Sequence, residues 1–141
     1  MADPRDTVEY EGLHAKHATF KIDNSTITYD KTKTNGSAQV GLAVTFSADR
    51  TIQLVGDGEA VLGKLISVEA DDKANVQIRG MTTLKGGTSA TLTRGKKIVG
   101  DLLVAAEGYV REVAEGTAAE LAVARGYIID DDATDPIIDL G

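Results

Sequence analysis

The sequence predicts a mainly β fold, a small antiparallel barrel or sandwich of short strands with one short helix. Residues 39–46 alternate larger apolar side chains with smaller or polar ones at a period of two, which is the periodicity of an extended strand. Glycine-containing turns at 56–58 and 86–87 interrupt further Val- and Ile-rich runs up to residue 101. Fifteen glycines against two prolines suit many tight turns. Short strands at this spacing are typical of small antiparallel barrels and sandwiches.

The strand predicted over residues 39–46 has one apolar face, formed by Val40, Leu42, Val44 and Phe46. Two short strands precede it, at 20–22 and 26–29, around a turn at 23–25. Further strands are predicted at 52–54, 60–68, 76–78, 81–84, 89–93, 98–104, 109–113 and 127–129.

The only helix signal with an apolar continuation is at residues 117–124. Thr117 is suited to the N-cap position, and Glu120 three residues later completes a capping-box pattern. A strand running through Leu121 and Val123 is the alternative. Residues 136–140 predict a final edge strand, since Pro136 stands where a strand tolerates proline.

The length of 141 residues indicates one folded domain, expected over residues 20–141. Residues 1–19 are polar and read as an N-terminal arm, in which Val8, Tyr10, Leu13 and Phe20 at its end are spaced apolar anchors. This pattern suits ordering on a partner's groove or sheet edge, so these four residues are the candidate binding residues. A plain disordered terminus is the alternative.

Composition argues against several classes of protein. The net charge of −7 opposes binding to nucleic acid, because phosphate recognition needs an excess of Lys and Arg. The chain has no cysteine, which excludes disulfides and thiolate sites. No apolar run reaches the length of a membrane span, and no signal-peptide pattern opens the chain. We therefore expect a protein made in the cytoplasm, with no nucleic-acid or membrane partner.

Candidate chemical sites are weak. His14 and His17 are spaced for a shared metal, but no cysteine or acidic cluster supports one. The acidic stretch at 130–135 lacks the ligand order of an EF-hand, and the glycines at 56–58 lack the dinucleotide fingerprint. We expect no catalytic residue, no cofactor and no metal, and hence a binding or structural protein that is not an enzyme.

Residues 41–140 resemble the decoration, or cement, proteins of tailed-phage capsids, of the lambda head-decoration type. The similarity is carried by the order of four segments, "GLAVTFSADRTIQLVGDGEAVLGKLISVE", "ANVQIRGMTTLKGG", "KKIVGDLLVAAEGYVREVAEGTAAELAVARGYIIDD" and "DPIIDLG". One difference from that pattern is residues 20–37, which are richer in strand signal than a bare arm.

The resemblance implies a β-tulip-like fold, homotrimers and no enzymatic activity or cofactor. It implies binding to the outer surface of the assembled major capsid protein, which the protein would cement against internal pressure. The location would be the virion surface, after assembly in the host cytoplasm. An arm such as residues 1–19 would reach neighbouring capsid subunits.

Two other classes of function remain open. A carbohydrate-binding or adhesion module on a virion or cell surface would fit a β-sandwich, although the absence of tryptophan counts against sugar platforms. A small β-barrel enzyme would need a pocket with a perturbed acid or base, and the sequence offers no candidate.

Overall fold

The computed structural model describes residues 15–88 and 91–141, and it confirms the mainly β fold with one short helix. In chain order, its strands are β1 (Lys16–Ile22), β2 (Ala43–Ala48), β3 (Thr51–Leu54), β4 (Gly63–Val68), β5 (Lys73–Arg79), β6 (Met81–Thr83), β7 (Ile98–Leu103), β8 (Ala106–Glu112), β9 (Tyr127–Asp130) and β10 (Ile137–Asp139). The α-helix, α1, spans Ala118–Val123, and a short 3-10 turn spans Thr34–Gly36.

The first five strands close into a barrel in the order β1-β3-β2-β4-β5. Every pair in it is antiparallel except β1 with β3, which is parallel and short. The barrel interior is filled by aliphatic side chains, namely Ile22, Ile27, Val44, Ile52, Leu54, Leu65, Val68, Ala74 and Val76.

The later strands form a three-stranded sheet, in the order β6-β10-β9, and a hairpin of β7 with β8. They enclose a second apolar core, made of Ala43, Val55, Val61, Leu84, Ile98, Val110, Ile128, Ile138 and Leu140. Strand β2 contributes to both cores, since Val44 lies in the first core and Ala43 in the second. Ala43 and Thr45, opposite the apolar face of β2, are therefore buried.

Two features near the N-terminus differ from the sequence prediction. Strand β1 begins at Lys16 and pairs with β5, so residues 16–19, assigned above to the arm, belong to the barrel. The strand predicted at 26–29 is wrong, because the Asp23 carboxylate accepts hydrogen bonds from the backbone N–H groups of Ser25, Thr26 and Ile27 and bends the chain there.

Three features in the second half of the chain can be compared with the sequence predictions. Helix α1 begins after Thr117 as predicted, but Thr117 makes no side-chain capping bond. The last strand, β10, is central in its sheet, so the predicted edge position is wrong. Residues 91–93 are irregular, which contradicts the predicted strand at 89–93, and residues 89–90 lie outside the described part.

Candidate functional site

Of the four candidate binding residues, only Phe20 falls within the described structure; Val8, Tyr10 and Leu13 lie outside it. Phe20 is half-buried on β1 and packs against the barrel core. Its ring meets that of Phe46 edge to face, with the ring centroids 5.6 Å apart and the planes at 77°. These are the two phenylalanines of the chain, and they form one aromatic pair.

The aromatic pair lies at an open end of the barrel. Phe46 pairs with the buried Ile52 across β2 and β3, so its side chain is on the inward-facing side, yet it is 52 % exposed. The opening arises because β3 pairs with only the last two residues of β1. We call this opening the barrel mouth: Phe20, Phe46 and residues 47–50, which line a groove of about 610 Å³.

The rim of the barrel mouth is basic, in contrast to the chain as a whole. A second groove adjoins the first and shares Phe20 and the β2–β3 turn with it. Lys21, Arg50 and Lys73 line this second groove together with one acidic residue, Asp49. The mouth thus combines apolar rings with an excess of positive charge, a combination that suits an acidic segment carrying apolar side chains.

A second exposed apolar surface is the tip of the β7–β8 hairpin. Leu103 and Val104 are both exposed, Val104 by 87 %. Val104 has a φ of +60°, a left-handed conformation that a β-branched residue rarely adopts. Its N–H donates to Thr88 Oγ1 at 2.5 Å. Strained backbone of this kind persists only where the surrounding structure holds it, and it is found most often at functional sites.

A third apolar surface lies on α1 and β9. Leu121 and Val123 are exposed on the helix, and Tyr127 and Ile129 are exposed on one side of the strand. These four large apolar side chains are therefore available for contact with another molecule.

Helix α1 is fixed by an ion pair. Arg111 on β8 donates two hydrogen bonds to the Glu120 carboxylate, at 2.8 and 2.9 Å, and a third to Asp57 at 3.2 Å. Glu120 also accepts from the Ala114 N–H. The side chains of Arg111 and Glu120 are only 13 % and 17 % exposed. The hydrogen bonds from Arg111 lower the pKa of Glu120, while those to Glu120 raise the pKa of Arg111.

Arg125 joins the barrel to the C-terminal strands. Its guanidinium donates to the carbonyl oxygens of Leu140 at 2.5 Å, Leu62 at 2.7 Å and Ile78 at 2.9 Å. Burial lowers the pKa of Arg125, and the charge of Arg79 lowers it further. The arrangement is structural, because its acceptors are main-chain carbonyls from three separate segments.

Those of the residues weighed above as metal ligands that the structure describes are not gathered into a site. His17 is exposed on β1, and His14 lies outside the described residues. In the acidic loop, Asp130 and Asp132 accept hydrogen bonds from backbone N–H groups of the loop itself, and Asp135 pairs with Lys85. Within residues 15–88 and 91–141, no group of three or more His, Asp and Glu side chains could hold a metal ion.

Comparisons with protein-family models, with curated proteins and with solved structures found no match to this chain. No helix among the described residues is long and apolar enough to span a membrane. The sequence pattern names Phe20 as a candidate binding residue, which stays a prediction, and it assigns Phe46 to the core. The signal available was that the chain has only two phenylalanines.

Proposed function

We propose that this protein is a capsid decoration protein, which binds the outer surface of an assembled phage capsid and cements neighbouring major capsid subunits. The order of segments between residues 41 and 140 is what suggests a capsid. The exposed apolar side chains of this small β scaffold support action by binding, because their burial against a partner would be favourable.

The physical mechanism is linkage. A protein that binds the assembled shell, and not its separated subunits, stabilises the shell by mass action. Many copies multiply a modest contact, and a multimer adds avidity because its attachments are tethered to one another. No residue of this protein needs chemical reactivity for such a role.

We infer that the protein acts as a homotrimer. Only 4 % of its residues are aromatic, and its two cores are mainly Val, Ile and Leu, so subunit contacts would add buried apolar area. The α1–β9 surface offers exposed Leu, Val, Tyr and Ile side chains for such contacts. Light scattering should give a trimer mass in solution or on the particle, and a mass that stays monomeric in both settings would contradict this inference.

Attachment can be tested by co-sedimentation with expanded shells of the major capsid protein from the same genome. We expect saturable binding by the whole chain and weaker binding after deletion of residues 1–14. Since β1 begins at Lys16, deleting all of residues 1–19 would damage the barrel and confuse the result.

The matched control replaces residues 1–14 by a Gly/Ser segment of equal length. Binding by the deleted and replaced chains that equals binding by the whole chain would show that this segment has no role in attachment. Failure of the whole chain to bind shells would contradict the decoration proposal and favour the adhesion module.

A further inference from the structure

The barrel mouth is apolar inside and basic at its rim. The aromatic pair lines the first groove, and Phe46 is exposed there. Lys21, Arg50 and Lys73 are exposed side chains that line the adjoining groove together with one carboxylate, that of Asp49. The mouth therefore favours an occupant that carries apolar side chains next to negative charge.

Strand β9 and the loop that follows it have this chemistry. Tyr127 and Ile129 are exposed on one side of β9. The three aspartates at 130–132 follow directly and are exposed as well. Asp131 lies 3.8 Å from Arg94, but both side chains are largely exposed, so this ion pair contributes little. We call Tyr127, Ile129 and residues 130–132 the acidic β9 surface.

The barrel mouth and the acidic β9 surface lie at different ends of the molecule. Strand β2 begins with Ala43 in the second core and reaches the mouth with Phe46 and the residues after it. Its six residues span about 17 Å. Strand β9 contributes Ile128 to the second core and is held there by its pairing with β10. The mouth of one chain therefore cannot take up the β9 surface of the same chain, and a contact between the two joins different copies.

We propose that the barrel mouth of one copy binds the acidic β9 surface of a second copy. Tyr127 and Ile129 of the second copy enter the groove beside the aromatic pair, and its carboxylates at 130–132 face the basic rim. Such a contact joins two different surfaces, so each copy can bind two others, and a ring forms where the rotation between copies closes. Closure after three copies gives the homotrimer inferred above. The proposal rests on that homotrimer and names its contact, but it does not depend on the capsid.

Sedimentation equilibrium of the whole chain and of charge-reversed variants tests the proposal. Arg50→Glu at the mouth and Asp131→Lys on the β9 surface should each raise the concentration at which the trimer dissociates by at least about tenfold, because like charges then meet in the contact. The double variant should recover most of this loss, since the attraction returns with its signs exchanged. Lys31→Glu is the matched control, because it changes the net charge as Arg50→Glu does, but Lys31 is exposed outside both grooves.

Apolar variants test whether the contact joins two different surfaces. Phe46→Ser and Tyr127→Ser should each abolish the trimer, while urea unfolding checks that both variants are folded. An equimolar mixture of the two should form dimers at high concentration, because one intact mouth then meets one intact β9 surface. Two variants that stay monomeric in the mixture would contradict a contact of this kind.

The remaining outcomes separate this contact from the other proposals. Trimers that survive both charge reversals unchanged, or a double variant that recovers nothing, would overturn the contact but leave the homotrimer. A whole chain that is monomeric in solution and on the particle would overturn both. If Arg50→Glu lost binding to capsid shells but kept its self-association, the occupant of the mouth would be a capsid segment, which would also overturn the proposal. Shell binding by the whole chain bears on the decoration proposal alone.

Discussion

Replacing Arg125 by methionine should destabilise this protein markedly, because its guanidinium joins separate parts of the fold. The three shortest hydrogen bonds of the guanidinium, at 2.5, 2.7 and 2.9 Å, go to main-chain carbonyls of the C-terminal strand region and of two barrel segments. A hydrogen bond to a charged group contributes about 1.5 kcal/mol or somewhat more, so three contribute about 5 kcal/mol. Burial of an unneutralised charge offsets part of this, as its lowered pKa indicates.

We therefore expect the free energy of unfolding of Arg125→Met to fall by about 3 kcal/mol, or Tm by roughly 10 °C for a domain of this size. Urea unfolding followed by circular dichroism measures it, with the m value checked for constancy. Arg94→Met is the matched control, since the Arg94 side chain is 75 % exposed and its replacement should change stability by less than about 0.5 kcal/mol. An Arg125→Met variant as stable as the control would refute the reasoning.

Three further outcomes are expected. Alanine variants of Arg111 and Glu120, alone and together, should show a coupling energy of about 2 kcal/mol in urea unfolding, whereas additive effects would mean that the pair is not coupled. Hydrogen bonds from Arg111 lower the pKa of Glu120. Partial burial raises the pKa of Asp23, but the hydrogen bonds that Asp23 accepts within its turn lower this pKa overall. Both carboxylates therefore stabilise the fold at pH values above about 4, which is their pKa in the unfolded chain. The free energy of unfolding should fall as the pH drops toward their lower pKa values in the folded protein. Urea midpoints between pH 6 and pH 3 should show this fall, and Glu120→Gln should reduce it; an unchanged profile would count against the ion pair. Gly63→Ala should lower the free energy of unfolding by more than about 3 kcal/mol, because the added Cβ would lie 2.0 Å from a carbonyl oxygen of β5. Gly116→Ala should be tolerated, since its Cβ would have no neighbour within 4 Å. Equal thermal midpoints for the two variants would contradict this expectation.

The fold class could be predicted from the sequence because the alternation of apolar and polar residues shows which face of a strand packs on the core. Val44 was placed inward by its pattern, and it is fully buried. The same pattern placed Phe46 inward, but its exposure depends on how far β3 runs alongside β1. That extent is a property of the pairing between strands, which the local sequence does not encode.

Three local features could not be predicted because they depend on side-chain hydrogen bonds, which residue patterns do not show. Thr26 and Ile27 favour a strand by propensity, but the Asp23 carboxylate bends the backbone through them. Glu120 has capping-box spacing, yet its carboxylate binds Arg111, nine residues earlier. The role of Arg125 leaves no sequence signal, since its partners are main-chain carbonyls far away along the chain.

The most direct test of the cement proposal is the temperature at which capsids burst. Expanded shells filled with DNA should be heated with increasing amounts of this protein, and DNA release should be followed by dye fluorescence. We expect the release temperature to rise and then level off when the surface sites are full, because the bound protein stabilises only the assembled shell. The same release temperature for bare and saturated particles would contradict the proposal.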